Sequence, residues 1–348
     1  MTTIATTRQQ VQEYYGRVLS GSRDLKTSAC CPLEDVAGEA TEILRLIEPE
    51  ILERFYGCGA PIPPAVAGRT VLDLGCGTGR DAFLCSKMVG ETGRVIGIDM
   101  TAEQLAVGRR HLKAQMLRFG FSTPNVDLRE GYMEDLAAAG IDDASVDIVI
   151  SNCVINLSPD KMRVFSEILR VLKPGGELFF ADVFADRRIP EPLRTDPELH
   201  GECLAGAMYT EDFRRMLAHL GVPDLRVLSD RPISVDNPEL EARIGMVGFR
   251  STTVRAFKLA SLEDRCEDWG QIARYLGTIP GAPHAFRLDD HHKFATGKPT
   301  PVCGNTAAML SETRFGEHFL VEGHRGVHYG LFDCGSSTNE EGPNASCC

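Results

Sequence analysis

The chain has 348 residues, of which 43% are hydrophobic and 25% are charged, a balance typical of a globular protein with a substantial core. Its formal net charge of −12 excludes a strongly basic surface, so we expect no nucleic-acid partner and no binding to an anionic membrane. No apolar run approaches the ~18 residues of a membrane span, and the first twenty residues lack the apolar segment of a secretion signal. We therefore expect a cytoplasmic protein, and we expect it to be a monomer.

Four segments follow one another along the chain. Residues 1–40 predict an N-terminal helical segment, with a helix over 8–19 and a turn that ends at Cys30. Residues 41–235 open with a helix predicted over 39–55 and then alternate short apolar runs with amphipathic stretches. Residues 236–335 lose this rhythm and predict a smaller irregular domain, and residues 336–348 predict a flexible tail.

The alternating part of the chain predicts strands separated by helices. Ser158 before Pro159 predicts the cap of one helix, and the glycines and proline of residues 173–176 predict a turn after it. Strands that alternate with helices of this length favour a parallel sheet covered on both faces, the doubly wound α/β class. The strands are predicted over 70–74, 94–98, 125–129, 146–151, 177–183 and 225–233, and the helices over 79–89, 102–118, 159–172 and from 210 onwards.

A glycine-rich loop follows the first of these strands. Residues 71–79, VLDLGCGTG, join an apolar strand to the start of a helix, and Gly75 and Gly77 permit a tight turn and a close approach to a ligand. Asp73 disfavours the pyrophosphate that such a helix start would otherwise bind, and it favours a ligand with a cationic amino group. S-adenosylmethionine (SAM) has that amino group and no phosphate. We therefore predict a Rossmann-like, class I SAM-dependent methyltransferase.

Further contacts to this cofactor are predicted where the next strands end. Asp99 closes the second strand, where a carboxylate can accept hydrogen bonds from ribose hydroxyls, and Met100 is predicted to pack against the adenine. Met133 and Glu134 follow the third strand and are predicted to lie at the adenine edge. Asn152 ends the fourth strand, and we expect it beneath the reacting methyl group.

Cysteines occur in several loops that would face the same edge of the sheet. In a reducing compartment, twelve cysteines favour soft-ligand binding or redox chemistry over disulfides, although each can also be a small buried hydrophobe. Cys153 ends the fourth strand, Cys58 lies in a glycine- and proline-rich loop, and Cys203 lies in a long connection after the fifth strand. Three converging thiolates suit a soft thiophilic ion: zinc would need a fourth ligand, whereas trivalent arsenic would keep a lone pair able to attack a sulfonium methyl.

The motifs around these cysteines resemble the arsenite methyltransferase family, whose members methylate trivalent arsenic with SAM. The resemblance extends from about residue 10 to about residue 335 and is more specific than the glycine loop. The matching motifs are DLKTSAC at 24–30, FYGCG at 55–59, SNCVINL at 151–157, GECLAGA at 201–207, PVCGNT at 301–306 and TRF at 313–315.

The resemblance implies roles for individual residues. Cys58, Cys153 and Cys203 would bind arsenic as thiolates, Cys30 would pair with Cys58 during turnover, and Tyr56 would form part of the wall of the SAM pocket. The substrate would be arsenite or a thiol-conjugated arsenical. We also expect a cellular thiol reductant, thioredoxin or glutathione, to keep the thiols reduced.

Several alternatives remain at this level. Glu202 beside Cys203 is either a proton acceptor for the thiols or a solvent-facing or structural glutamate, and Cys303 is predicted to shape the last domain. The Cys347–Cys348 pair is a surface pair or a metalloid trap. The whole protein could instead methylate carbon or oxygen of a small metabolite, or bind metalloids without catalysis.

Overall fold

The computed structural model describes residues 38–196, 199–200, 203–234 and 237–333. The helix predicted over 8–19 and the tail predicted from 336 lie outside the described residues. Within the described part of the chain, no helix is both long enough and apolar enough to cross a membrane.

A mixed sheet of eight strands forms the centre of the molecule, in the order β3-β2-β1-β4-β5-β8-β7, with β6 paired to β5. Strands β1 to β5 are parallel neighbours, whereas β8 runs antiparallel to both β5 and β7. The predicted α/β class is confirmed. The strands are β1 Thr70–Leu74, β2 Arg94–Asp99, β3 Val126–Glu130, β4 Val146–Asn152, β5 Leu172–Ala185, β6 Met208–Tyr209, β7 Leu225–Pro232 and β8 Phe249–Phe257.

Helices cover both faces of this sheet, so successive apolar side chains of one strand enter different cores. In β1, Val71 packs in the cluster with Phe83 and Leu105, whereas Leu72 packs in the cluster with Phe165 and Phe213. The strand therefore reads as a continuous apolar run. The helices are α1 Glu39–Leu44, α2 Pro49–Glu53, α3 Arg80–Val89, α4 Ala102–Phe119, α5 Lys161–Val171, α6 Glu191–Arg194, α7 Thr210–His219 and α8 Pro238–Ile244.

Two local predictions are wrong. The helix predicted over 39–55 is interrupted, because Glu48, which precedes Pro49, adopts an extended backbone (ψ 130°) and a new short helix starts at the proline. Helix α5 is capped by Asp160, whose carboxylate accepts from Arg163 N, rather than by Ser158.

Strand β5 also starts earlier than expected, at Leu172 rather than near residue 177. The proline and glycines predicted to form a turn lie within the strand instead. Gly175 has a left-handed φ of 77°, and the pairing with β4 is irregular between Val146 and Ile148. The irregular pairing accommodates the proline and glycines, so the strand continues through the residues that were predicted to form a turn.

Strand β8 lies beyond the domain boundary predicted at residue 235, yet it belongs to the central sheet, between β5 and β7. The remaining elements pack around an apolar core of their own, which includes Tyr275, Phe294 and Phe315. They are β9 Glu267–Asp268, β10 Gln271–Tyr275, β11 Ala285–Arg287, β12 Lys293–Ala295, β13 Pro299–Val302, α9 Gly304–Ser311, β14 Phe319–Glu322 and β15 Gly330–Leu331.

Candidate functional site

A pocket opens at the carboxyl ends of β1, β2 and β4, where the loops that follow these strands meet. In open α/β sheets this edge is where ligands bind. The structure brings all the residues that were predicted to contact the cofactor into the wall of this one pocket, together with Cys153. They are Tyr56, Asp73, Gly75, Gly77, Asp99, Met100, Met133, Glu134 and Asn152.

The glycine loop is held tightly against the neighbouring strand. Gly75 and Gly77 both have left-handed φ values, 67° and 54°, and a Cβ on Gly75 would lie 2.5 Å from a methyl of Val154. Asp99 Oδ2 accepts the Gly77 N–H at 2.8 Å, and Gly75 N donates to Ile98 O at 2.8 Å. Asp99 therefore braces the loop from the second strand, in addition to facing the pocket.

Asp73 is a buried carboxylate with an unsatisfied oxygen. Its side chain is 2% exposed, and Oδ2 has no hydrogen-bond partner among the described residues. Burial, together with the carboxylates of Asp81 and Asp99, raises the pKa of Asp73 well above its ordinary value. A cationic ligand would offset both the burial and the repulsion. The amino group of SAM fits this environment.

Glu134 is already engaged within the protein. Its Oε1 accepts a hydrogen bond from Ser158 Oγ at 2.6 Å, and its backbone carbonyl accepts from Arg163 Nε at 3.0 Å. Ser158 thus orients the glutamate in the pocket wall instead of capping the helix. The predicted placement of Glu134 at the pocket agrees with the structure, and its orienting partner was not foreseen.

Two pocket residues at the start of α3 escaped the sequence interpretation. The buried Arg80 guanidinium lies 3.4 Å from the ring centre of Phe55 and pairs with Asp81 at 3.0 Å. Asp81 Oδ2 also accepts from Asn152 Nδ2 at 2.9 Å. The sequence did contain a signal for these two residues. They are charged and directly follow the last glycine of the loop, so they occupy the first helical turn beside the pocket.

The three predicted arsenic ligands lie in one buried apolar cluster, in which the sulfurs of Cys58 and Cys153 lie within 4.8 Å of each other. The Cys153 thiol donates hydrogen bonds to the sulfurs of Cys58 and Cys203, which raise its pKa well above the ordinary value, and burial adds to this effect. Cys203 Sγ also contacts the Cys153 carbonyl oxygen at 3.3 Å. Cys153 and Cys203 adopt left-handed φ values of 59° and 61°, which are strained for a non-glycine residue and recur at functional sites.

Backbone contacts hold the loops that carry the outer two thiols. Ser251 Oγ of β8 donates to the Cys58 carbonyl at 2.6 Å, so the strand missed by the sequence boundary supports this loop. After Cys203, the backbone passes so close to Asn156 that a Cβ on Gly206 would lie 2.0 Å from its carbonyl oxygen. Only glycine fits there without displacing the loop.

A carboxylate that the sequence interpretation missed lies beside the thiols. One Asp182 carboxylate oxygen and the sulfurs of Cys58 and Cys153 lie within 4.8 Å of one another. Burial raises the pKa of Asp182 to about 7, even though Asn156 and Val183 donate hydrogen bonds to it. A single acidic residue inside the apolar run of β5 was the signal that could have found it.

Some predicted residues cannot be placed. Cys30 and Glu202 lie outside the described residues, as do Cys347 and Cys348. The proposed pairing of Cys30 with Cys58 and the proposed role of Glu202 therefore stay predictions.

Comparisons with known proteins identify relatives of this chain. Residues 65–221 match a family described as a methyltransferase domain, and residues 270–342 match a family described as the arsenite methyltransferase C-terminal domain. An arsenite methyltransferase of Aquipseudomonas alcaligenes is 51% identical over 94% of both chains, and one of Homo sapiens is 41% identical over 91% of this chain and 84% of its own.

Among solved structures, the arsenic(III) S-adenosylmethionine methyltransferase of Chlamydomonas reinhardtii superposes with a TM-score of 0.83. It is 48% identical in sequence, and the match covers 86% of this chain and all of that one.

Proposed function

Because the chain belongs to the arsenite methyltransferase family and methylates trivalent arsenic with SAM, we propose that Cys58, Cys153 and Cys203 hold the arsenic as thiolates. One observation carries this proposal: Cys153 lines the cofactor pocket and is also hydrogen-bonded to the other two thiols. An arsenic atom bound by this cluster lies next to the methyl donor. Its remaining lone pair is then the nucleophile.

Different residues of the pocket wall would bind different parts of SAM. Asp73 would bind the cationic amino group, Asp99 would accept hydrogen bonds from the ribose hydroxyls, and Met133 and Glu134 would lie at the adenine edge. When bound, SAM supplies an electrophilic methyl group on its sulfonium. In the same pocket, Met100 would pack on the adenine and Tyr56 would form part of the wall. Gly75 and Gly77 would let the backbone approach the cofactor, and Asn152 would lie beneath the methyl group.

Arsenic capture exchanges oxygen ligands for sulfur. Each new As–S bond breaks one As–O bond, and the thiol proton leaves with the departing hydroxide as water. Asp182 is placed to take the thiol proton and pass it on, because its carboxylate lies within 4.8 Å of the Cys58 and Cys153 sulfurs. Asp182 supports the proposal more directly than Glu202, which lies outside the described residues.

The thiol cluster also needs a reduced state. We propose that a cellular thiol reductant of the thioredoxin or glutathione type restores the cysteines, with Cys30 as the partner of Cys58 during turnover. Trivalent arsenic would enter as arsenite or as a thiol conjugate, since both exchange onto thiolates.

Replacement of the central thiols tests the proposal. Cys153→Ser and Cys203→Ser should lower arsenite-dependent methyl transfer by at least ~100-fold, because arsenic then lacks a positioning ligand. The affinity for SAM, measured by calorimetry, should stay within about threefold, a change below ~1 kcal/mol. Cys266→Ser, at a buried cysteine that precedes β9 in the C-terminal part of the chain, is the matched control and should stay active. Full activity in both site variants would contradict the thiolate scheme.

The main alternative is methyl transfer to carbon or oxygen of a small metabolite. That chemistry needs no thiol cluster, so arsenite should then leave cysteine alkylation unchanged. Our proposal instead requires arsenite to protect the three site cysteines together, as read by mass spectrometry of the alkylated peptides. Arsenite binding without any methylated product would favour a non-catalytic metalloid binder.

A further inference from the structure

A second pair of cysteines, Cys266 and Cys303, lies together in the C-terminal part of the chain. Both side chains are buried, and the Cys266 thiol donates a hydrogen bond to Cys303 Sγ. Cys303 is also the N-cap of α9, where its sulfur accepts the backbone N–H of Thr306 at 3.5 Å. Two sulfurs thus meet at a helix N-terminus, whose dipole favours negative charge on Cys303.

A buried, charged guanidinium that is paired with two aspartates lies on the other side of this pair. Arg226 Nη2 lies 4.0 Å from Cys303 Sγ, and Arg226 is itself bound by Asp224 at 2.6 and 2.7 Å and by Asp289 at 3.1 Å. The hydrogen bond from Cys266, with the Arg226 charge, lowers the pKa of Cys303 to about 5. The pair therefore presents one sulfur with thiolate character and a second sulfur beside it, which is the reactive form towards metalloids.

This pair lies near the opposite end of strand β7 from the proposed arsenic-binding thiols. Arg226 is near the start of β7, whereas Arg231, near the end of the same strand, donates to the Cys58 carbonyl at 3.4 Å. Five residues of extended strand separate the two arginines, a distance of about 17 Å. The second pair is therefore a separate feature.

The cover over the second pair is thin. Cys266 directly precedes β9, a strand of two residues whose one partner among the described residues is the two-residue strand β15. The Cys266 carbonyl extends this ribbon by accepting Phe332 N at 2.8 Å. The ribbon is also held by the exposed ion pair between Glu267 and His328, yet it is far shorter than strands β7 and β8 of the central sheet. Local opening of so short a ribbon admits a small neutral molecule to the sulfurs.

We propose that Cys266 and Cys303 form a second binding site for trivalent arsenic, outside the catalytic cluster. Arsenous acid reacts with the Cys266 thiol and the Cys303 thiolate to form two As–S bonds, while two As–O bonds break. One departing hydroxide leaves as water with the Cys266 proton, and the other leaves as water with a proton from solvent. No electrons are transferred. The third position on arsenic keeps a hydroxide or takes a small thiol.

The test counts bound arsenic atoms per chain by native mass spectrometry after incubation of the full chain with arsenite. The background carries serine at Cys58, Cys153 and Cys203, so the result does not depend on the fate of the catalytic proposal. Adding Cys303→Ser should lower the count by one arsenic atom per chain. Serine is a good helix N-cap, so this variant preserves the structural role of Cys303 while removing its sulfur.

Cys266→Ser is the second variant and should give the same loss, because a dithiol site fails when either sulfur is removed. It decides the question if the Cys303 variant does not fold, since Cys266 caps no helix. Cys85→Ser on the same background is the matched control and should leave the count unchanged. Cysteines outside the described residues stay identical in all chains and cancel in the difference. An unchanged count in folded Cys266→Ser and Cys303→Ser chains would overturn the proposal.

Discussion

Asn152 clamps the backbone of Gly59, the residue after Cys58, through both ends of its side-chain amide. Asn152 Oδ1 accepts Gly59 N at 3.1 Å, and Nδ2 donates to Gly59 O at 2.8 Å. The same Nδ2 also donates to Asp81 in the cofactor pocket at 2.9 Å. One side chain at the end of β4 therefore joins the methyl-donor pocket to the loop that carries a proposed arsenic ligand.

Asn152→Ala should impair both sites at once. The buried Gly59 N–H and carbonyl lose their partners, at a cost of about 1–3 kcal/mol each, and the loop loses its register with Cys153. We expect arsenite-dependent kcat/KM to fall by at least about tenfold beyond any loss of SAM affinity, measured by steady-state kinetics and calorimetry.

The matched control is Asn125→Ala, since Asn125 also makes three hydrogen bonds, to Ser86 and Gly90, away from the site. It should lose stability in urea unfolding while keeping kcat/KM for the folded fraction. Equal kinetic losses in the two variants would mean that Asn152 acts only through stability.

Asp73→Asn should separate cofactor affinity from stability. The neutral amide no longer suffers burial and repulsion from Asp81 and Asp99, so the free protein should melt at the same temperature or higher. A charge-assisted hydrogen bond to the SAM amino group is lost, and we expect SAM to bind about 10- to 100-fold more weakly. Calorimetry and thermal melts with and without SAM measure both effects.

The control for this prediction is Asp127→Asn, on the half-exposed surface of β3. It should leave the SAM affinity unchanged. If Asp73→Asn lowered the melting temperature and bound SAM as tightly as the natural chain, the role assigned to Asp73 would be wrong.

Asp182→Asn should slow arsenic capture without changing SAM binding. The amide has the size of the carboxylate beside the Cys58 and Cys153 sulfurs, but it cannot accept the thiol proton, and its NH2 group replaces an oxygen that accepts from Asn156. We expect arsenite-dependent kcat/KM to fall by about 10²-fold or more, in the range of a lost proton acceptor, with the SAM affinity unchanged. Stopped-flow measurement of arsenite exchange onto the thiols gives the rate directly.

Asp186→Asn, directly after the same strand and exposed at its end, serves as the control and should exchange arsenite at the normal rate. An exchange rate that is equally normal in Asp182→Asn would remove Asp182 from the mechanism.

Glu177→Gln should destabilise the protein, because Glu177 belongs to a buried charge network that joins β5 to the C-terminal part of the chain. Glu177 accepts from Arg255 Nε and also pairs with Arg314, and all three side chains are buried. Removing the carboxylate leaves two buried guanidinium groups without their counter-charge. We expect a loss of about 3–5 kcal/mol in the free energy of unfolding at pH 7, measured in urea.

The loss should depend on pH in a defined direction. Burial alone would raise the pKa of Glu177, but the charges of Arg255 and Arg314 outweigh it and lower the pKa below its ordinary value of 4.5. The stabilisation is therefore complete above the ordinary pKa and is lost as pH falls through the lowered folded value. The difference between the natural chain and Glu177→Gln should shrink below about pH 4. Glu317→Gln, in an exposed pair with Arg69, should cost less than ~1 kcal/mol at either pH.

Sequence alone determined the features that depend on neighbouring residues. The apolar run from Thr70 to Leu74 makes a strand because both of its faces are buried, and the glycines after it make a ligand loop because they accept a left-handed backbone. These local requirements were sufficient to predict the doubly wound sheet and the SAM pocket.

Only the tertiary structure decided which distant groups meet. Strand β8 carries arginines and threonines among its apolar residues, so its sequence does not read as a buried strand, yet Arg255 is satisfied there by Glu177 from β5. The role of Asp182 could not be predicted from the sequence for the same reason, because its hydrogen-bond partner Asn156 comes from another loop.

The thiols at Cys58, Cys153 and Cys203 were named from their residue types and from a family resemblance, but their convergence depends on contacts between segments far apart in the chain. Asn152 and Ser251 fix one loop, and the close approach at Gly206 fixes the other. Residue type determines what a side chain can bind. Packing of the whole chain determines which side chains bind together.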